Sequence, residues 1–164
     1  MKRIAVLIVI AVAFGLGALA IKQTSSPCIL SLSDDAIRGR LWAPTCKGCH
    51  DISPIELDLK HSSGGPNLQE VYMSLAGTRP APKNPTAVYQ HPYPPLAAAR
   101  DAGVVWTEEN LFAYLRDPKG FLIKATGKSF DAPIFYMNFF IGAESKRRDV
   151  IAYLKAIKDR PECD

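Results

Sequence analysis

Apolar residues form one unbroken run at the start of the chain. After Lys2 and Arg3, the stretch Ile4 to Ile21 contains no charged residue and includes Ala18-Leu19-Ala20 near its end. A short positive start, an apolar run and a small-residue site make up the pattern of an export signal, expected over residues 1–20. The alternative is an uncleaved membrane anchor to about residue 22, since a run of this length is at the lower edge of what spans a bilayer. Residues 21–33 read as a polar lead-in. Pro27 before Cys28 argues against lipid attachment there, which wants a small residue such as Gly or Ala. A first helix is expected from Ser33-Asp34-Asp35, an N-cap with acids in the first turn, with Ile37, Leu41 and Trp42 on its apolar face. Pro44 should stop or kink it, because the residue before a proline avoids the α region.

Six prolines between Arg79 and Pro95 predict a semi-rigid extended loop. Helical spacing resumes at Leu96-Ala97-Ala98-Ala99. Thr107-Glu108-Glu109-Asn110 opens a further helix that carries Leu111, Tyr114 and Leu115 and ends at Asp117-Pro118. Gly120, Gly127, Pro133 and Gly142 make residues 119–142 read as irregular. A last helix is expected over 145–157, with Val150, Tyr153 and Leu154 on one face. No long alternating pattern marks a strand. The expected class is mostly α with long loops, as one domain over 34–164.

Composition narrows the function. The 164 residues are 48% hydrophobic and 22% charged, which is ordinary for a globular chain. The net charge is +4, and removal of residues 1–20 leaves 18 basic against 16 acidic residues. That is too small and too scattered an excess for a nucleic-acid binder.

Chemistry concentrates in Cys46-Lys47-Gly48-Cys49-His50, the pattern of a c-type haem attachment site. Two thiols at this spacing reach two vinyl groups on one porphyrin edge, and the following imidazole swings under the iron. A thioredoxin-like redox pair would need a βαβ setting, which is absent. Half of a zinc site would need a second Cys/His pair at ligand spacing, and none exists. Gly127-Lys128-Ser129 lacks the glycine a phosphate loop requires five residues earlier.

Further segments fall in order along the chain: Gly65-Pro66-Asn67-Leu68, Trp106 to Leu111, Tyr114-Leu115, Asp117-Pro118, Met137-Asn138-Phe139, and Arg148 to Lys155. On these segments the chain resembles the class I c-type cytochromes, the mitochondrial cytochrome c and bacterial cytochrome c2 type, from about Asp34 to Lys155. The resemblance implies the cytochrome c fold, with first and last helices crossing and one covalent haem c in a pocket wrapped by loops. It implies that the Pro66 carbonyl accepts the His50 ring N–H, that Trp106 donates to a haem propionate, and that Tyr114 places its hydroxyl near the distal ligand. It also implies that Trp42 packs against Val150 and Tyr153. His50 and a residue from a distant segment are then the iron ligands. Met137, beside Phe135, Tyr136, Phe139 and Phe140, is the expected distal ligand, with an apolar wall to exclude water. Met73, His61 and His91 are the rivals. Two departures from the family pattern stand out: a longer approach from Ile123 to Tyr136, and Ser74 in place of the usual propionate-side Arg.

The function the resemblance implies is one-electron transfer without bond chemistry, in the periplasm or on the periplasmic membrane face. The donor and acceptor would be redox proteins: an oxidase, a bc1-type complex, a photosynthetic centre or a periplasmic dehydrogenase, the last with this chain as its dedicated haem subunit. A ligand-binding or peroxidatic haem protein would instead need an open sixth site. Docking is expected at the haem edge, ringed by Lys47, Lys119, Lys124 and Lys128. Because the family fold packs the first helix against the last, an exported chain is also expected to join Cys28 to Cys163 by a disulfide.

Overall fold

The computed structural model describes residues 32–50, 52, 65–78, 93–130 and 137–159. The signal segment, Cys28, Cys163, His61, His91, Phe135, Tyr136 and residues 79–92 of the Pro-rich loop lie outside the described residues. The expected Cys28–Cys163 bridge therefore gains no support, and no disulfide joins the described residues.

Helix α1, Asp34–Lys47, starts where its cap predicts: the Ser33 hydroxyl accepts the Ala36 N–H at 3.3 Å, with Asp34 and Asp35 in the first turn. Its buried face corrects the sequence reading. Ala36, Gly39 and Ala43 are buried, whereas Leu41 is 75% exposed and Trp42 38% exposed. The reason is the partner helix α5, Glu144–Asp159, which supplies the bulk through Val150, Tyr153, Leu154 and Ile157. A Cβ on Gly39 would collide with the Asp149 main chain and lie 2.8 Å from the Tyr153 Cβ. The two helices touch backbone to side-chain root, which only small residues on α1 permit. Arg38 completes the crossing, donating from Nε and Nη2 to the Asp149 carboxylate at 3.0–3.2 Å. Trp42, 38% exposed, lines a pocket with Val150, and Lys146 Nζ lies 3.8 Å from its ring centroid.

Pro44 does not end α1 either, which runs through it to Lys47. The proline lies on the exposed side, where water can serve the carbonyl that it cannot.

Helix α2, Pro94–Asp101, opens on prolines, whose missing N–H groups cost nothing in a first turn. Helix α3, Glu108–Arg116, has the predicted Thr107 cap, which accepts the Asn110 N–H at 3.2 Å. A fourth helix, α4, Pro118–Thr126, occupies part of the stretch expected to be irregular. Asp117-Pro118 ends α3 and starts α4 at once, with the Asp117 carboxylate accepting the Gly120 N–H at 2.9 Å. Gly120 thus lies in a capped first turn, and only Gly127, at φ 65°, acts as a terminator.

The described residues contain no strand beyond a single antiparallel bridge, Leu75 to Val105. Around it Met73 N–H donates to Trp106 O at 2.9 Å, Trp106 N–H to Ser74 O at 2.8 Å, and Ala76 N–H to Val104 O at 2.8 Å. One continuous core joins Trp106, Leu111, Leu115 and Leu122 to Val150, Tyr153, Leu154 and Ile157. The mostly α architecture is therefore as expected.

Gly39→Val should lower unfolding stability by about 3 kcal/mol, the upper part of the overpacking range, because the clash is with main chain. Urea unfolding of the holoprotein checks this, and an unchanged midpoint would contradict it.

Candidate functional site

The C-terminal end of α1 delivers the Cys46–His50 motif as a tight turn. The Cys46 carbonyl accepts the N–H groups of Cys49, at 3.0 Å, and His50, at 2.8 Å. Cys46 is half-buried against the core and Cys49 is exposed. Burial, and secondarily the neighbouring Cys49, push the Cys46 thiol above its ordinary pKa. It stays protonated at neutral pH, the form whose S–H adds across a vinyl group.

Residues 65–66 are tied to this turn at two points. Gly65 N–H donates to Cys49 O at 2.9 Å, and His50 Nδ1 lies 2.9 Å from Pro66 O. A carbonyl can only accept, so Nδ1 carries the proton and the Nε2 lone pair is left for a metal. Burial lowers the His50 pKa, partly offset by the Pro66 bond, which keeps the ring neutral at neutral pH. Gly65 matters through space: a Cβ there would lie 2.5 Å from His50 Nδ1 and 2.7 Å from Cys49 O. The sequence marked Gly65 only as part of a motif. Its role depends on the His50 ring, fifteen residues upstream in the chain.

Trp106 is 5% exposed and fixed by main-chain bonds to residues 73 and 74. Its ring stacks on Phe121, centroids 5.9 Å apart, and lies 4.8 Å from Tyr114. Phe121 meets Tyr114 edge-on at 5.8 Å. Phe121 was missed because it sits on α4, in the segment that read as irregular. Burial pushes the Tyr114 hydroxyl well above its ordinary range, so it remains a neutral donor.

Met137 is half-buried and packs against the same core as Cys46, Trp106 and Tyr114. Met73, its rival, is 51% exposed on a turn with φ 60°. Of the apolar wall expected around Met137, Phe135 and Tyr136 lie outside the described residues. Phe139 and Phe140, 44% and 66% exposed, line a cavity of about 160 Å³ with Trp42, Thr45, Cys46 and Val150. Ser74 turns back on its own segment, its hydroxyl donating to Val71 O at 2.8 Å.

Two thiols and a neutral imidazole on one turn, with a thioether on the same core, fit one covalently attached haem. No group of three or more His, Cys, Asp or Glu able to hold a bare metal ion occurs among the described residues.

No family model matches the chain. Curated relatives do. Cytochrome c2 iso-2 of Rhodospirillum centenum is 35% identical over 125 residues, covering 74% of this chain and 93% of that protein. A cytochrome c2 of Rhodopseudomonas palustris is 33% identical over 135 residues, covering 76% and 99%. A solved structure of Rhodospirillum centenum cytochrome c2 is 37% identical and covers 74% of this chain and 96% of its own, with a TM-score of 0.55. The Rhodobacter sphaeroides cytochrome c2 structure is 28% identical and covers 75% and 95%, with a TM-score of 0.59. The chain belongs to the cytochrome c2 family.

Haem stain on a denaturing gel should stay with the protein band, and the Cys46→Ala/Cys49→Ala double variant should lose it. A wild-type band without stain would refute covalent attachment.

Proposed function

We propose that this member of the cytochrome c2 family is an exported one-electron carrier, with His50 and Met137 as the axial ligands of one haem c. The observation that carries the reading is the bond from His50 Nδ1–H to the Pro66 carbonyl, which leaves a neutral Nε2 lone pair for the iron. Bound there, haem c supplies an iron that accepts and returns one electron.

The protein's part is to keep the surroundings unchanged while charge comes and goes. Cys46 and Cys49 hold the porphyrin edge. The Pro66 carbonyl fixes the imidazole's rotation and raises its basicity as a ligand. The Met137 thioether, a soft donor, favours the reduced state and sets a more positive potential than a second imidazole would. Trp106, locked by Phe121 and the 73–76 segment, holds its indole N–H for a propionate, and Tyr114 offers a neutral hydroxyl on the distal side. None of these groups is a nucleophile or general base aimed at a substrate, in keeping with a carrier rather than an enzyme.

Export rests on the Lys2-Arg3 start and the apolar run that follows. Among the described residues no helix is long and apolar enough to cross a membrane. Donor and acceptor are redox proteins of the bc1-type, oxidase or photosynthetic-centre classes. Lys47, Lys119, Lys124 and Lys128 are all exposed and supply a positive face for them.

Met137→Ala should abolish the weak sulfur-to-iron band of the ferric protein and lower the midpoint potential on the order of 0.2 V, a fraction of the roughly 0.8 V that axial ligands command. Met73→Ala should do neither. Loss of the band in Met73→Ala alone would contradict the assignment.

Electron transfer to the physiological partner should slow as ionic strength rises, because steering between opposite charges is screened within about 10 Å at 0.1 M salt. Rates that are flat in salt and untouched by Lys→Glu at these four positions would reject the lysine face.

A further inference from the structure

Residues 137–143 have no secondary structure of their own, yet this segment carries Met137. Asn138, Phe139 and Phe140 are exposed, while Met137 and Ile141 pack on the core. Besides that packing, hydrogen bonds to the main chain just downstream hold the segment. Ile141 N–H donates to Leu115 O, at the end of α3, at 2.7 Å. Arg147 Nη1 donates to both Ile141 O and Gly142 O, each at 2.7 Å.

Arg147 is an unusual residue to find there. It is 4% exposed, and no carboxylate forms an ion pair with it among the described residues. Its charge is met by the two carbonyls and by the Phe112 ring, 4.3 Å from the guanidinium carbon, while its Nε is buried without a hydrogen-bond partner. Glu144, paired with Arg148, attracts Arg147 only from beyond ion-pair distance, and burying a cation without a direct ion pair is costly, so an apolar side chain of similar volume could fill the space more cheaply. What an apolar side chain could not do is bond two consecutive carbonyls. Gly142 adds no restraint, since nothing lies within 4 Å of where its Cβ would be.

We propose that Arg147 is the positioning residue for the distal ligand: it clamps the main chain at 141–142 between α3 and α5 so that Met137 is presented to the haem iron. This rests on the His50/Met137 reading above. Without the clamp the helices remain, but the segment keeps only the Ile141–Leu115 bond, the Arg147 main-chain N–H to Ala143 O and the packing of Ile141 and Met137 on the core, and Met137 is released more readily than the fold unfolds.

The test uses the full haem-loaded protein and follows two signals through a urea titration: the ferric sulfur-to-iron band for Met137, and far-ultraviolet circular dichroism for the helices. In Arg147→Met the band should disappear well before the helices. The fraction of molecules lacking it in buffer should rise about ten- to a hundredfold, the weight of one charge-assisted hydrogen bond. Arg147→Lys keeps a cation that can reach both carbonyls, and it should restore the band. If Arg147→Met does not accumulate haem, Phe112→Leu, which removes the ring under the guanidinium, should show the same early loss with a smaller gap. Band and helices lost together in these variants, with the band at wild-type strength in buffer, would leave Arg147 a merely structural residue and overturn the proposal. A wild-type protein without the band would instead refute Met137 ligation, and this proposal with it.

Discussion

The crossing of α1 over α5 is the constraint on which the site depends. The haem-attachment turn begins in the last turn of α1, and the Met137 segment ends at the first turn of α5. How closely the two helices approach therefore sets where the cysteines stand relative to the distal segment. That approach is decided at Gly39, where the Asp149 main chain and the Tyr153 Cβ leave no room for a side chain. Apolar burial by Val150, Leu154 and Ile157 supplies the attraction. The half-exposed Arg38, screened by solvent, orients the pair through the buried Asp149 carboxylate rather than holding it together.

From that crossing the site is built by short-range main-chain bonds. Gly65 and Pro66 are fastened to Cys49 and His50, the 73–76 segment is fastened to 104–106, and residues 141–142 are fastened to Leu115 and Arg147. Each of these described segments is thereby tied to a helix or to a neighbouring loop. A redox site benefits from this arrangement, because donor atoms that do not move on gaining an electron keep the cost of transfer low. The aromatic group of Trp106, Tyr114 and Phe121 adds a rigid, water-poor wall on the side of α3 and α4.

Local chemistry was legible in the sequence, and partner-dependent geometry was not. Ser33 and Thr107 read correctly as caps because a cap is a contact between residues three apart. Cys46, Cys49 and His50 were legible as one motif because their spacing is itself the chemistry, and the structure places them on one turn. The buried face of α1 was misread because Leu41 and Trp42 are the apolar choices by composition, while the crossing demands the small ones, Ala36, Gly39 and Ala43. Helix α4 was missed because Gly120 counts as a breaker until Asp117 is seen to cap the turn containing it. That Phe139 and Phe140 share a cavity with Cys46 and Trp42 was not legible, since nothing in a run of aromatics says which of them faces which neighbour.

The account's central claim is that His50 and Met137 hold the iron from opposite faces. The chain has three methionines, so methyl-labelled methionine gives a spectrum simple enough to read directly. In the reduced, diamagnetic protein, a methyl group bound over the iron lies inside the shielding cone of the porphyrin ring current. One labelled methyl signal should therefore fall far upfield of all others and be absent from Met137→Leu. Methyl signals that all stay in the ordinary range, or an upfield signal that survives in Met137→Leu, would contradict the account.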